Sequence, residues 1–131
     1  MTGAHVLGVG VDLVEVARVA RLLGHRRAAE RLFTPGERAA AGEGAMRIQR
    51  LAARFAAKEA VVKALGGVGA LGFHDIEVVR PPGQAARVRL SGRAEACAES
   101  RGVVAVVVSM SHVGTYAVAS ATALGPCPCG S

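Results

Sequence analysis

Aromatic side chains are nearly absent from this chain of 131 residues: three Phe, one Tyr and no Trp make up 3% of it. Proteins that bind single-stranded nucleic acid stack bases on aromatic platforms set among basic residues. A nucleic-acid partner is therefore disfavoured, in spite of sixteen Lys and Arg against ten Asp and Glu. Cysteine is scarce too. Cys97, Cys127 and Cys129 are an odd number with two crowded near the C-terminal end, which makes no disulfide framework. Reduced thiols in a cytoplasm are expected, and the terminal CPC lacks the other two ligands of a zinc site. No apolar run approaches the roughly 20 residues of a membrane span. The opening MTGAHVLGVGVDLVEV has neither a basic n-region nor a small-residue cleavage site. A soluble cytoplasmic protein with no membrane partner is expected.

What is present is small and apolar. Hydrophobic residues make up 51% of the chain, enough for one core without staples. With so few rings, that core must be built from Val, Ala and Leu. The net charge is +6, which favours an anionic partner: a phosphorylated cofactor or an acidic protein.

The pattern mixes helices and strands. Val6 to Val11 is β-branched and broken by glycines, reading as a strand that delivers Asp12 to its end. Asp12 and Glu15 have capping-box spacing for a helix carrying Val16, Val19, Leu22 and Leu23 beside Arg18 and Arg21. A short helix is expected from Arg26 to Phe33, and Thr34, Pro35 and Glu37 open another. The longest helical signal, from Ala45 to Leu65, holds Ile48, Leu51, Phe55, Val62 and Leu65 on one face and stops at Gly66 and Gly67. Ile76 to Val79 and Ala86 to Leu90 read as strands, and Ser91 opens a helix to Arg101. Val103 to Val108 and Tyr116 to Thr122 read as a central strand pair around a bend, SMSHVGT. Strands adjacent in sequence favour α+β with a mainly antiparallel sheet over a doubly wound fold. One domain, 1–124, is expected, followed by a disordered tail, 125–131.

Three segments carry chemistry: GVGVDLVEVARV, RFAAKEAVVKALG and VSMSHVGTYAVA. Asp12 reads either as an N-cap or as one of a pair of carboxylates. Glu59 and Lys63, four apart on a helix, suit a surface ion pair. Yet Glu59 continues an apolar row, where a carboxylate needs a partner or a metal. An Asp at a strand end and a Glu on a neighbouring helix are what magnesium needs when it keeps several waters and shares substrate phosphates. Arg54, Lys58 and Lys63 would neutralise phosphate or form a solvated basic face. Glycines 66, 67 and 69 permit close approach of backbone to phosphate, or simply end the helix. His112 is a structural histidine or a ligand contact, and with no nearby acid to orient it towards Ser109 or Ser111 a Ser-His hydrolase is a weak reading.

Together the segments resemble the short, single-domain phosphopantetheinyl transferases, the holo-acyl-carrier-protein synthase family. The family opens with G-[IV]-G-x-D-[IL]-x-E, matched by Gly8 to Glu15. Its central R-F-x-x-K-E-A-x-x-K-A is matched by Arg54 to Ala64. Its late S-H-x-x-x-Y-A is met by Ser111, His112, Tyr116 and Ala117.

The resemblance implies an α+β phosphopantetheinyl transferase fold. It implies that the chain moves 4'-phosphopantetheine from coenzyme A to a serine of an acyl carrier protein, with Asp12, Glu59 and Lys63 catalytic and Asp12 and Glu59 holding Mg2+. Coenzyme A would meet Arg54, Lys58, Lys63, Gly66, Gly67, Ser111 and His112, while the acidic carrier would meet Arg18, Arg21, Leu22, Arg26 and Arg27. Glu59, a metal-bound water or Lys63 would accept the serine proton. A homotrimer with active sites between subunits is likewise implied. Two stretches depart from the family: Gly66-Gly67-Val68-Gly69 stands for its G-T-G-I loop, and Gly83-Gln84-Ala85 for its G-K-P. The competing readings are a non-catalytic module of the same fold, a basic nucleic-acid binder and a magnesium phosphohydrolase.

Overall fold

Alanine and glycine set the spacing between the two layers of this molecule. A computed structural model describes residues 3–67 and 72–127. In chain order the elements are β1 (Ala4–Glu15), α1 (Val16–Leu23), α2 (Ala28–Leu32), α3 (Pro35–Ala41), α4 (Arg47–Ala64), a 3-10 turn (Phe73–Asp75), β2 (Ile76–Val79), β3 (Arg87–Leu90), α5 (Gly92–Ser100), β4 (Ala105–Val113) and β5 (Tyr116–Pro126). The strands form one five-stranded sheet, ordered β1-β5-β4-β3-β2, with every pairing antiparallel. The α+β expectation holds.

Helix α4 lies across one face of the sheet. It offers Ala52, Ala53, Ala56, Ala57, Ala60 and Ala64, all buried, and β5 answers with buried Ala117, Ala119, Ala121 and Ala123. Such short side chains let helix and strands approach closely. Closest of all is β1. A Cβ at Gly8 would enter the van der Waals shell of the Ala64 carbonyl oxygen. One at Gly10 would meet the Ala60 carbonyl oxygen and stand 2.9 Å from Lys63 Cβ. The two glycines of G-V-G-V-D are thus the places where strand backbone rests on helix backbone. Larger groups close the ends of this layer: Phe33, Leu51, Leu65, Ile76 and Val61 are fully buried, and Phe55 packs on Phe73 with ring centroids 5.5 Å apart.

Period-two alternation sends the rest of β1 the other way. Val9, Val11 and Leu13 are 65%, 62% and 63% exposed, and Val107, Val113, Tyr116 and Val118 also face out. The sheet therefore has one covered face and one bare apolar face.

Several elements differ from their expected bounds. β1 runs on through Glu15, so Asp12 pairs with Ala119 inside the strand and does not cap α1. Glu15 is the N-cap, with no side-chain cap bond. The strand wins because β5 continues alongside it to Tyr116 and gives each residue a ladder partner. For the same reason β4 extends through Ser111 and His112 to Val113, and the bend shrinks to Gly114 and Thr115. The supposed tail begins too early: Gly125 and Pro126 belong to β5 and pair with His5 and Ala4. The box at Thr34 and Glu37 forms as expected. Helix α5 is capped from a distance: the Asp75 carboxylate accepts the Arg93 amide at 3.1 Å, and the Ser91 side chain makes no cap bond.

Candidate active site

Asp12 points from β1 towards α4, on the side of the strand that holds Gly8 and Gly10. Glu59 and Lys63, one helical turn apart on α4, rise to meet it. The Lys63 ammonium donates to Asp12 Oδ1 at 3.1 Å and to the Val11 carbonyl at 2.9 Å. Lys63 is half exposed and Asp12 mostly covered. Burial above all, then the neighbouring Asp12 carboxylate, pushes the Glu59 carboxyl above the usual range, while Lys63 and Arg18 pull it down. The Asp12 carboxylate thus adds to the cost of ionising Glu59. Arg18, predicted for the carrier, lies close enough to act on this centre, so α1 and the acid pair adjoin.

This raised Glu59 has a measurable consequence. A folded-state pKa above the unfolded value means that the protein binds the proton more tightly when folded. The associated stability is present at low pH and lost as pH rises through the folded value. Glu59→Gln in metal-free protein should therefore raise Tm at neutral pH by a few degrees. The gain should vanish on acidification below the ordinary glutamate range, in a thermal melt followed by circular dichroism.

A second centre lies further along α4. Arg50, Ala53, Arg54, Arg80, Met110, Ser111 and His112 line a cleft of about 300 Å³. Arg54 is only 7% exposed. Its guanidinium donates to the Arg50 carbonyl at 3.2 Å, and its Nε has no partner among the described residues. Burial lowers the Arg54 pKa; Glu37 opposes this, and Arg80 and Arg50 add to it. Cations crowded in one cleft with an unpartnered N–H want an anion. Asp12 pairs with Ala119, and Ala119 with Met110, so at one strand spacing per pair the two centres are about 10 Å apart.

The structure thus brings together Asp12, Glu59 and Lys63 in one group, and Arg54, Ser111 and His112 in another. Sequence reading missed Arg50 and Arg80. Arg50 was legible, one turn before Arg54 on the same helix; Arg80 reaches the cleft only through the path of the sheet.

Two expectations are corrected. Lys58 is not a phosphate ligand. It is fully buried, donates to the carbonyls of Leu32 (2.8 Å) and Phe73 (2.9 Å), and is ion-paired to the equally buried Glu37. An ammonium has three N–H groups, and all are taken. Gly66 and Gly67 offer no amide to phosphate either. Their φ angles of 106° and 66° close α4, with the Gly66 amide bonded to Lys63 and the Gly67 amide to Val62, a Schellman ending. Val68 and Gly69, the rest of the altered loop, lie outside the described residues. Of the carrier candidates, Arg18, Arg21, Arg26 and Arg27 are exposed. Leu22 helps line a shallow hollow of about 150 Å³ with His25, Ala28, Arg31 and Leu32.

An acid pair beside a cationic cleft, on an antiparallel α+β frame, defines a protein that handles a phosphorylated substrate. Residues 8–121 match the 4'-phosphopantetheinyl transferase superfamily. A holo-[acyl-carrier-protein] synthase of Desulforudis audaxviator is 46% identical over 125 residues, 92% of this chain and 95% of that protein. Among solved structures, the acyl carrier protein synthase of Mycobacterium tuberculosis superposes with a TM-score of 0.70 at 39% identity, covering 91% of this chain and 97% of that one. A synthase–CoA complex from Chronobacterium ammoniagenes gives 0.75 at 32% identity, covering 92% and 96%. The chain belongs to the 4'-phosphopantetheinyl transferase superfamily and, within it, to the holo-[acyl-carrier-protein] synthases.

Proposed function

We propose that Asp12 and Glu59 hold magnesium while this chain transfers 4'-phosphopantetheine from coenzyme A to a serine of an apo acyl carrier protein. The carrying observation is the convergence of Asp12, Glu59 and Lys63 beside the Arg50–Arg54–Arg80 cleft. What supports the metal is the chemistry of the donors: two carboxylates suit an ion that keeps waters and takes its other oxygens from substrate phosphates. Mutual repulsion and the burial of Glu59 are relieved by a divalent cation. Bound there, magnesium would polarise the phosphoryl oxygens and ease departure of the leaving group.

The chain's own residues do the rest by placement. Lys63, already beside Asp12, is within reach of the pyrophosphate. Arg54, with Arg50, Arg80, His112 and Ser111, takes the phosphorylated nucleotide end. The carrier serine gives up its hydroxyl proton to a base at the acid pair as its oxygen forms a bond to the β-phosphorus, the phosphoanhydride bond breaks, and adenosine 3',5'-bisphosphate leaves with the electron pair. Arg18, Arg21 and Leu22, with Arg26 and Arg27 beyond, offer the carrier a basic rim around an apolar hollow, adjoining the acid pair, which suits an acidic partner. Fatty-acid and polyketide carriers both meet that description. We place the reaction in the cytoplasm, in keeping with the unpaired thiol of Cys97; no helix among the described residues is long and apolar enough to cross a membrane.

The test is the intact mass of an apo carrier incubated with this protein and coenzyme A. A gain of about 340 Da, one phosphopantetheine, that needs magnesium and is abolished by a chelator is expected. A gain indifferent to divalent metal overturns the metal reading, and no gain on either class of carrier overturns the transfer. Arg80→Ala should raise KM for coenzyme A about tenfold with kcat nearly unchanged, because it removes a charge from the binding cleft and none from the acid pair.

We also propose a homotrimer. The bare apolar face of β1, β5 and β4 is larger than isolated exposed side chains explain, and further copies of the chain would cover it. Light scattering should give about 40 kDa, three times the 13.3 kDa chain, and Val11→Asp should reduce it.

A further inference from the structure

Four segments meet at a single buried ammonium, and a fifth, β2, joins through its counterion. Lys58, on α4 next to Glu59, donates to Leu32 at the end of α2 and to Phe73 at the start of the 3-10 turn. Its counterion Glu37 accepts the Thr34 amide through Oε1 at 2.9 Å and the Val78 amide through Oε2 at 2.8 Å. Thr34 in turn donates its hydroxyl to Glu77 at 2.6 Å. The Phe33 ring lies beneath the ammonium, 5.3 Å from Nζ to its centroid. Burial weakens the hold of Lys58 on its proton, and Glu37 opposes this.

A buried ion pair is seldom more stabilising than well-packed apolar residues of the same size. What this one does that an apolar pair would not is fix positions. Leu32 closes the stretch that follows the carrier-facing Arg26 and Arg27. Phe73 opens the 3-10 turn that leads into β2. The Glu37 carboxylate is also the anion acting on Arg54 in the nucleotide cleft.

From the three-way donation by Lys58 we propose that it is a positioning residue, which holds helix α2, the 3-10 turn before β2 and, through Glu37, the arginine cleft in register with the helix that bears Glu59. It touches neither substrate, and it acts through Leu32, Phe73 and Glu37. The inference rests on the substrate assignments above.

Steady-state kinetics with both substrates varied will test it. Lys58→Met keeps the length of the side chain and removes the donors. It should raise KM for coenzyme A and for the carrier, each by about tenfold, with kcat at saturation within threefold of wild type, since Asp12, Glu59 and Lys63 stay in place. Where Lys58→Met gives no cooperative melt, Lys58→Met/Glu37→Gln, which leaves no unpaired buried charge, carries the same measurement. Both KM values within twofold of wild type, a fall in kcat alone, or failure of both variants to fold overturns the proposal. Wild-type protein run in parallel separates the two ideas: without transfer by wild type the substrate reading itself fails, whatever Lys58 does.

Discussion

Asp12→Ala should lower kcat for carrier modification by about a thousandfold or more, the scale of losing a principal charge-stabilising group. Coenzyme A should still bind, because the arginine cleft, lined in part by Met110 two strands from Asp12, stands about 10 Å away across the sheet. The same substitution releases Lys63 from its 3.1 Å partner and relieves the repulsion that raises Glu59. Metal-free Asp12→Ala should therefore be as stable as wild type or more so, even though inactive. Activity by intact mass, coenzyme binding by calorimetry and a thermal melt measure the three consequences. Loss of coenzyme binding together with activity would mean that the two centres are not separable as described.

Gly10→Ala should be nearly as damaging by a different route. The added Cβ meets backbone, at the Ala60 carbonyl, together with Lys63 Cβ at 2.9 Å, so no rotamer relieves it. Overpacking of this kind costs about 3 kcal/mol or more, a fall in Tm of about 10 °C for a domain of this size. If the strand survives by lifting from α4, Asp12 lifts with it. The variant should then lose activity in excess of its unfolding at 25 °C, which a comparison of residual kcat with residual ellipticity would reveal. Gly102→Ala offers a contrast: nothing lies within 4 Å of a Cβ there, and only its φ of 75° opposes the change.

Legibility in the sequence followed the physics of each signal. The long helix was plain because Leu51, Phe55 and Leu65 recur at its period, and the α3 cap because Thr34, Pro35 and Glu37 form a local motif. Asp12 was found, but with a rival role as a cap. That rivalry was settled by something 107 positions away, the pairing of Asp12 with Ala119. Lys58 was misread for a related reason. A lysine on a helix looks the same whether solvated or buried, and what buries this one, Glu37 with the carbonyls of Leu32 and Phe73, is remote in sequence. Glu37 was seen only as a capping residue, though its second oxygen binds Val78. Arg80 escaped notice because only the sheet's path carries it to Arg54. The glycines of the opening motif were noticed as a pattern, yet their cause, the backbone of α4 pressed against them, is a tertiary fact.

The pairing of β1 with β5 joins residues 4–15 to residues 116–126, and this has a bearing on biosynthesis. As the chain leaves the ribosome, the segment bearing Asp12 emerges before its ladder partner and waits for it while the residues between them are made. Non-local pairing of this kind is slow to form, and an unpaired apolar strand is exposed to misassociation in the meantime. A nascent chain halted before Tyr116 would hold α4 with Glu59 and Lys63 but have no β5 to hold Asp12 against them, so catalytic competence should arrive in one step with β5.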